Sequence, residues 1–259
     1  MFINFFRINK NMISIIGAGP AGNYLAYLFS KEGHQVTVYE EHPKIGRPIQ
    51  CTGITTFFLN DIIKVKDEFL VNTINMTKVY SPNNSFVEIP LKDNFIVDRE
   101  KFDAYFGEIA QSNGVNYVLG NRMVDCKVDG KIKLKFKGFE KETDILIGAD
   151  GPMSQVARSV GIYGKRKFVV GHQARVLLDQ ECEENVVEFF LDKDYMGWLV
   201  PEDNKYVRLG VASYNNTGTY FNQLLNKRRG KILEWQSGPI PLYDPKVKTE
   251  FKNKVFLLG

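Results

Sequence analysis

The sequence predicts an α/β protein: a Rossmann-like dinucleotide-binding domain carrying an inserted antiparallel β-sheet domain. Three observations lead there. Residues 12–16, MISII, form a short apolar run suited to a strand buried on both faces. That run leads directly into Gly17-Ala18-Gly19-Pro20-Ala21-Gly22, a G-x-G-x-x-G turn. Further on, the chain abandons the steady alternation of strands and helices for a series of strand-like pieces.

After the turn, Leu25, Leu28 and Phe29 recur at helical spacing until Gly33 stops the helix, and His34 to Tyr39 reads as a second strand ending in Glu40. Each glycine of the turn has a role in holding a dinucleotide. Gly17 allows the tight turn, Gly19 lets the backbone approach a pyrophosphate, and Gly22 lets the helix pack closely on the strand, whose neighbouring helix N-terminus faces the negative charge. Glu40 lies near the spacing of about 20 residues at which an acid accepts hydrogen bonds from an adenosine ribose.

The next segment, GRPIQCTG at 46–53, sets Cys51 between Pro48 and Gly53 in a tight loop, a backbone built for close approach to something. A helix-like stretch from Phe57 to Val65 follows, then strand-like pieces at Lys78 to Tyr80 and Phe86 to Ile89, and a helix from about Arg99 to Asn113. Tyr117 to Leu119 and Arg122 to Val128 read as a strand pair, with a hairpin at Asp129-Gly130. Ile145 to Ala149 reads as a buried parallel strand delivering Asp150-Gly151 into a helix that Ser154 caps and that runs through Arg158. The expected division is an N-terminal extension at 1–11, a discontinuous dinucleotide-binding domain at 12–75, 96–168 and 240–259, and a sheet domain at 76–95 and 169–239.

Bulk composition narrows the function. With 259 residues, 44% hydrophobic and 25% charged, the chain is an ordinary globular protein. A balance of 34 Lys and Arg against 30 Asp and Glu gives no ground for a nucleic-acid partner. The clusters Lys165-Arg166-Lys167 and Lys227-Arg228-Arg229 read as solvated surface, with lipid head groups or a nicotinamide donor's phosphate as the functional alternative. Three scattered cysteines without a CxxC pair argue against a disulfide framework and against zinc, and the three histidines do not cluster, so no metal is expected. No segment is long enough to cross a bilayer, and MFINFFRINKN lacks a signal-peptide cleavage site, so a reducing, cytoplasmic setting is expected.

Together these pieces resemble the flavoprotein oxidoreductases with the para-hydroxybenzoate hydroxylase type of FAD fold, and within them the geranylgeranyl reductase family, of the digeranylgeranylglycerophospholipid reductase kind. The match rests on GAGPAG with Glu40, the PxxC-like loop GRPIQCTG, VDREKFD at 97–103, GADGPMSQVAR at 148–158, and MGWLVPEDNKYVRLGVA at 196–212. The last is similar to the family's YxWxFP followed by NVGxG. It departs from that pattern: Met196 stands where the family has tyrosine, with Tyr195 one place early, Val200 replaces Phe, and Ala212 replaces the last glycine. These departures bear on the substrate more than on the flavin. The chain ends at KVFLLG, where such flavoproteins continue with a flavin-binding aspartate and a helix, so it resembles a C-terminally truncated member.

The resemblance implies that Gly17, Gly19, Ala21 and Gly22 cradle the FAD pyrophosphate, with Glu40 on the adenosine ribose, Val124 meeting the adenine through its backbone, and Asp150 on the same cofactor. Arg47 and Arg99 are fixed cations close to that path, each with a surface salt bridge as the alternative. Cys51, Thr52 and Gly53 are implied to lie beside the isoalloxazine, with Cys51 either relaying a proton or simply packing on the flavin. Tyr195, Trp198, Pro201 and the Phe189-Phe190 pair are implied to line an apolar tunnel for an isoprenoid chain, although aromatic residues in strands also serve as core. The implied activity is FAD-dependent reduction of carbon–carbon double bonds in geranylgeranyl lipids or prenyl diphosphates, with peripheral membrane contact for a phospholipid substrate and NADPH or ferredoxin as open electron donors. A flavin monooxygenase or halogenase, and a truncated flavin-binding protein that catalyses nothing, are the alternatives.

Overall fold

The computed structural model describes residues 11–259, so the expected extension at 1–11 lies, except for Asn11, outside the described residues. The chain opens with β1 (Met12–Ile16), α1 (Pro20–Lys31) and β2 (Gln35–Tyr39). Then come β3 (Ile54–Thr55), α2 (Leu59–Ile62), β4 (Leu70–Tyr80) and β5 (Phe86–Val97). The middle of the chain holds α3 (Arg99–Ser112), β6 (Asn116–Val118), β7 (Met123–Asp129), β8 (Lys131–Phe136), β9 (Glu140–Thr143), β10 (Ile145–Gly148) and α4 (Gln155–Ser159). A second run of strands follows: β11 (Phe168–Leu178), β12 (Val186–Leu191), β13 (Tyr195–Pro201), β14 (Tyr206–Ser213), α5 (Thr217–Arg228) and β15 (Gly230–Pro241). Short strands β16 (Glu250–Phe251) and β17 (Val255–Leu257) complete the order.

Two compact units result, one from residues 11–47, 102–165 and 244–259, the other from 48–101 and 166–243. The second unit therefore takes in residues 48–75 and 96–101, which the sequence reading placed with the dinucleotide domain. The reason is pairing: β3 and the whole of β4 hydrogen-bond to β5 and so belong to its sheet.

In the first unit the strand order is β16-β17-β10-β1-β2-β6, parallel at every pairing but β16–β17. Ile13, Ile15, Val36, Val38 and Ile147 point to one face and pack with Ala26 of α1 and Ala110 of α3. Ile16, Tyr39 and Leu146 point to the other and pack with Ile132, Leu134 and Phe136 of the small antiparallel sheet β7-β8-β9 and with Val156 of α4. Both faces are thus covered, which is why the MISII run buries apolar side chains on both sides, with only the small Ser14 polar among them. Leu134 is fully buried. Leu134→Ala is expected to cost about 2–5 kcal/mol, read as a lowered urea midpoint at unchanged slope.

The expected pair of strands at 117–119 and 122–128 is corrected. β6 joins the parallel sheet beside β2, whereas β7 pairs with β8. Gly120, at φ +71°, lets the chain swing from one sheet to the other, and the turn is held by Asn121 N donating to Glu40 O at 2.8 Å. The hairpin at Asp129-Gly130 is present, with Gly130 at φ +68°. The helix expected over 57–65 shrinks to the single turn of α2, since Phe58 and Ile62 find no core and stay exposed.

The second unit is an eight-stranded sheet in the order β15-β11-β14-β13-β12-β4-β5-β3. It is antiparallel except at β4–β12, which run parallel. Those two strands are separated by the whole middle of the chain, so no tight hairpin dictates their direction. Helix α5 covers one face, burying Phe221 and Leu224 against Val176, Leu199, Val207 and Leu209. The opposite face carries Ile74, Ile96, Val187, Trp198, Val200 and Ala212. Neither α5 nor the long β15 was singled out in the sequence. Among the described residues no helix is long and apolar enough to cross a membrane.

Candidate functional site

In the first unit, β1 runs into the glycine turn with Gly17 N donating to Tyr39 O at 2.8 Å. Gly17 has φ +105°, and a Cβ there would lie 2.2 Å from Ala149 O at the end of β10. A Cβ on Gly22 would lie 2.2 Å from Gly17 O. Both glycines are therefore demanded by strand–turn–helix packing itself. Gly19 differs: a Cβ there would meet nothing within 4 Å. It is the N-cap of α1, no side chain caps that helix, and Pro20 and Ala21 fill its first turn. An open approach to uncapped helix-terminal amides suits a pyrophosphate.

Glu40, at the end of β2, accepts from Ala18 N through Oε2 at 2.8 Å and from His42 N through Oε1 at 2.9 Å. Oε1 also lies 2.6 Å from His42 Nδ1, so Glu40 ties the turn to the following loop and keeps a lone pair on Oε2 for a ribose hydroxyl. Asp150, at the end of β10, accepts from Gln155 N and Val156 N through Oδ2 at 2.7 and 3.0 Å. Its Oδ1 is buried without a partner. Ser154 caps α4 as expected, Oγ accepting from Ala157 N at 3.0 Å. Val124 offers its carbonyl to Gln155 Nε2 at 2.9 Å. The open Gly19, the uncapped α1 amides and the orphaned Asp150 oxygen together fit a dinucleotide with a hydroxyl-bearing chain. Arg47 is an exposed residue at the end of the loop after β2; Arg99, half-buried, belongs to the second unit at the start of α3.

The cysteine loop lies in the second unit from Pro48 onward. Gly53 has φ +73°, and a Cβ on it would fall 2.3 Å from Val97 O and 2.5 Å from Arg208 Nη1. Its smallness is thus already required by this chain's own atoms. Cys51 is half-buried and its Sγ accepts from Gly53 N at 3.4 Å. Thr52 O accepts from the Arg208 guanidinium. Arg208 also donates to Val97 O at 3.2 Å and to Glu202 Oε1 at 2.9 Å, while Glu202 Oε2 accepts from Arg175 Nε at 2.6 Å. Gln50 reaches β15, its Oε1 3.4 Å from where a Gly238 Cβ would stand. Sequence reasoning passed over Arg208 and Glu202, although a charged residue amid the apolar strand YVRLGVA was a usable signal.

The expected tunnel is corrected as well. Tyr195 and Trp198 sit an odd number of places apart in one strand and so face opposite ways. Tyr195 stacks on Tyr220 of α5 with ring centroids 4.8 Å apart, on the α5 face, and Pro201 follows it there by alternation. Phe190 and Phe189 are likewise divided between the α5 core and the Trp198 cluster. Trp198 is 8% exposed, lies over Gly210, and donates Nε1–H to Gln173 Oε1 at 2.8 Å. Its face is the one on which Arg208 holds the cysteine loop, because Val200, two places on, pairs with Arg208.

The three thiols differ in environment. Burial pushes Cys126 up to about 11, and Cys182 is also raised by burial. At pH 8 only about one part in a thousand of Cys126 is thiolate. Iodoacetamide at that pH is therefore expected to label Cys51 well before Cys126, as mapped by peptide mass.

Against known proteins, a family model described as an NAD(P)-binding Rossmann-like domain matches residues 15–54. The digeranylgeranylglycerophospholipid reductase of Methanosarcina acetivorans is 25% identical over 95% of this chain and 67% of its own length. The chain resembles the geranylgeranyl reductases. The geranylgeranyl diphosphate reductase of Rhodobacter capsulatus is 25% identical over 88% of this chain and 62% of its own. This chain thus spans about two thirds of the length of such curated relatives. Among solved structures, a geranylgeranyl bacteriochlorophyll reductase-like protein from Thermoplasma acidophilum superposes with a TM-score of 0.86 at 18% identity, covering 96% of this chain and 70% of that one. The flavin-dependent halogenase CmlS superposes with a TM-score of 0.76 at 15% identity, covering 97% and 53%. The fold is the Rossmann-like FAD/NAD(P)-binding fold.

Proposed function

We propose that this protein is an FAD-dependent oxidoreductase that reduces carbon–carbon double bonds of geranylgeranyl chains in lipids or prenyl diphosphates. The observation that carries the reading is 25% identity along 95% of the chain to a protein named for that reaction. The cysteine loop supports it from this chain's own atoms.

Reducing an isolated double bond takes a hydride at one carbon and a proton at the other. Bound FAD, once reduced, supplies the hydride. The N–H groups of Gly19, Ala21 and Gly22 would hold the pyrophosphate, Glu40 and Asp150 would accept from cofactor hydroxyls, and Arg47 and Arg99 would offer fixed positive charge. Cys51 gives the proton from Sγ and regains one from solvent, with Gly53 N–H orienting the sulfur. A phospholipid substrate brings the protein to a membrane surface, and NADPH or ferredoxin delivers the electrons.

Visible absorption of the purified protein, bleached anaerobically and then mixed with a geranylgeranyl lipid, tests this directly. Return of the oxidised flavin band together with a reduced lipid in the mass spectrum is the expected result. Reoxidation by air alone with a hydroxylated product would replace the reading with that of a monooxygenase, and a halogenated product would replace it with that of a halogenase, a class with solved members that share the fold. Absence of any flavin would sink both.

A further inference from the structure

We infer that Arg208 is the positioning residue of the Cys51 loop, holding the thiol in its working orientation through the backbone rather than by touching it. Arg208 and Glu202 side chains are each 9% exposed, so their ion pair is screened little by solvent. Burying a guanidinium is costly unless its donors are used, and here Nε and Nη1 make three bonds. Nε goes to Glu202 Oε1, and Nη1 to both Thr52 O and Val97 O. Arg175 grips the second oxygen of Glu202, leaving that carboxylate one way to face.

The consequence runs along the loop. Thr52 O and Gly53 N belong to one planar peptide. Fixing the oxygen on Arg208 therefore fixes the direction of the N–H, and that N–H is the donor to Cys51 Sγ. Val97 closes the arrangement from the other side, its N donating to Gly53 O at 2.9 Å while its O accepts from Arg208. Lysine cannot replace this residue, since one ammonium lacks the planar fork that spans a carboxylate and two carbonyls.

The loop geometry stands by itself; only its catalytic consequence rests on the proposed function. The test is the rate of Cys51 alkylation by iodoacetamide at fixed pH, taken relative to Cys126, in Arg208→Gln, Arg208→Lys and Arg175→Gln. Both Arg208 variants are expected to raise the Cys51 rate by about tenfold without raising that of Cys126, since one pinned loop is freed and the core is not. Arg175→Gln, which reaches the loop only through Glu202 and Arg208, is expected to raise the Cys51 rate by less than either Arg208 variant. With the geranylgeranyl lipid, kcat is expected to fall in Arg208→Lys while KM holds. Wild-type labelling of Cys51 in folded Arg208→Lys overturns the inference, and so does a parallel rise at Cys126, which marks general loosening. Should Arg208→Gln fail to fold, Arg208→Lys carries the comparison. A wild-type protein that labels as expected but reduces no lipid removes the proposed reaction and leaves the clamp standing.

Discussion

Cys51→Ala is expected to keep its flavin and lose about 10²- to 10⁴-fold in anaerobic reduction of a geranylgeranyl lipid, the range by which a positioned proton donor accelerates a reaction. The two properties separate because the turn proposed to hold the cofactor belongs to one unit and Cys51 to the other. Stability is expected to change little, since Cys51 lies outside the four buried core clusters. Cys51→Ser, which retains a weaker proton donor, should fall between. Stopped-flow recovery of the oxidised flavin band gives the rate constant for each. A Cys51→Ala protein with full turnover would reduce the cysteine to a packing residue.

Gly17→Ala and Gly19→Ala are expected to diverge sharply although both lie in one turn. An alanine at Gly17 puts its methyl 2.2 Å from Ala149 O, in a backbone at φ +105° that side chains rarely adopt. Strand β10 cannot yield, because it is bonded to β1 on one side and β17 on the other. The cost is about 3 kcal/mol or more, enough to unfold much of a marginally stable protein and to abolish flavin binding with it. Gly19→Ala meets no protein atom within 4 Å, and its φ of −73° is an ordinary one. Its stability should drop by no more than about 1 kcal/mol. Flavin affinity, however, should weaken markedly, because the methyl fills the approach proposed for the pyrophosphate. Urea melts paired with flavin titration separate the two effects. Unweakened flavin affinity in Gly19→Ala would remove the turn from the cofactor site.

Local features were legible where neighbours in the chain are neighbours in space. The strand–turn–helix–strand opening, the Ser154 cap and the Asp129-Gly130 hairpin each depend on residues a few places apart. The opposed directions of Tyr195 and Trp198 were legible too, from strand alternation, but the motif resemblance drew both into one tunnel. The destination of β6 and β7 was not legible, since two short strands divided by a turn pair with each other or part company according to what else competes for their edges.

The sequence by itself determined the dinucleotide-binding start of the chain and the presence of a thiol in a tight glycine loop, because glycine spacing, strand apolarity and helix punctuation act over short range. Only the tertiary structure decided what holds that loop. Arg208 lies 156 residues from the Thr52 carbonyl it binds and 111 from Val97 O. A buried guanidinium takes whatever acceptors the sheet register brings to it, and register is a property of eight strands paired together rather than of any one of them.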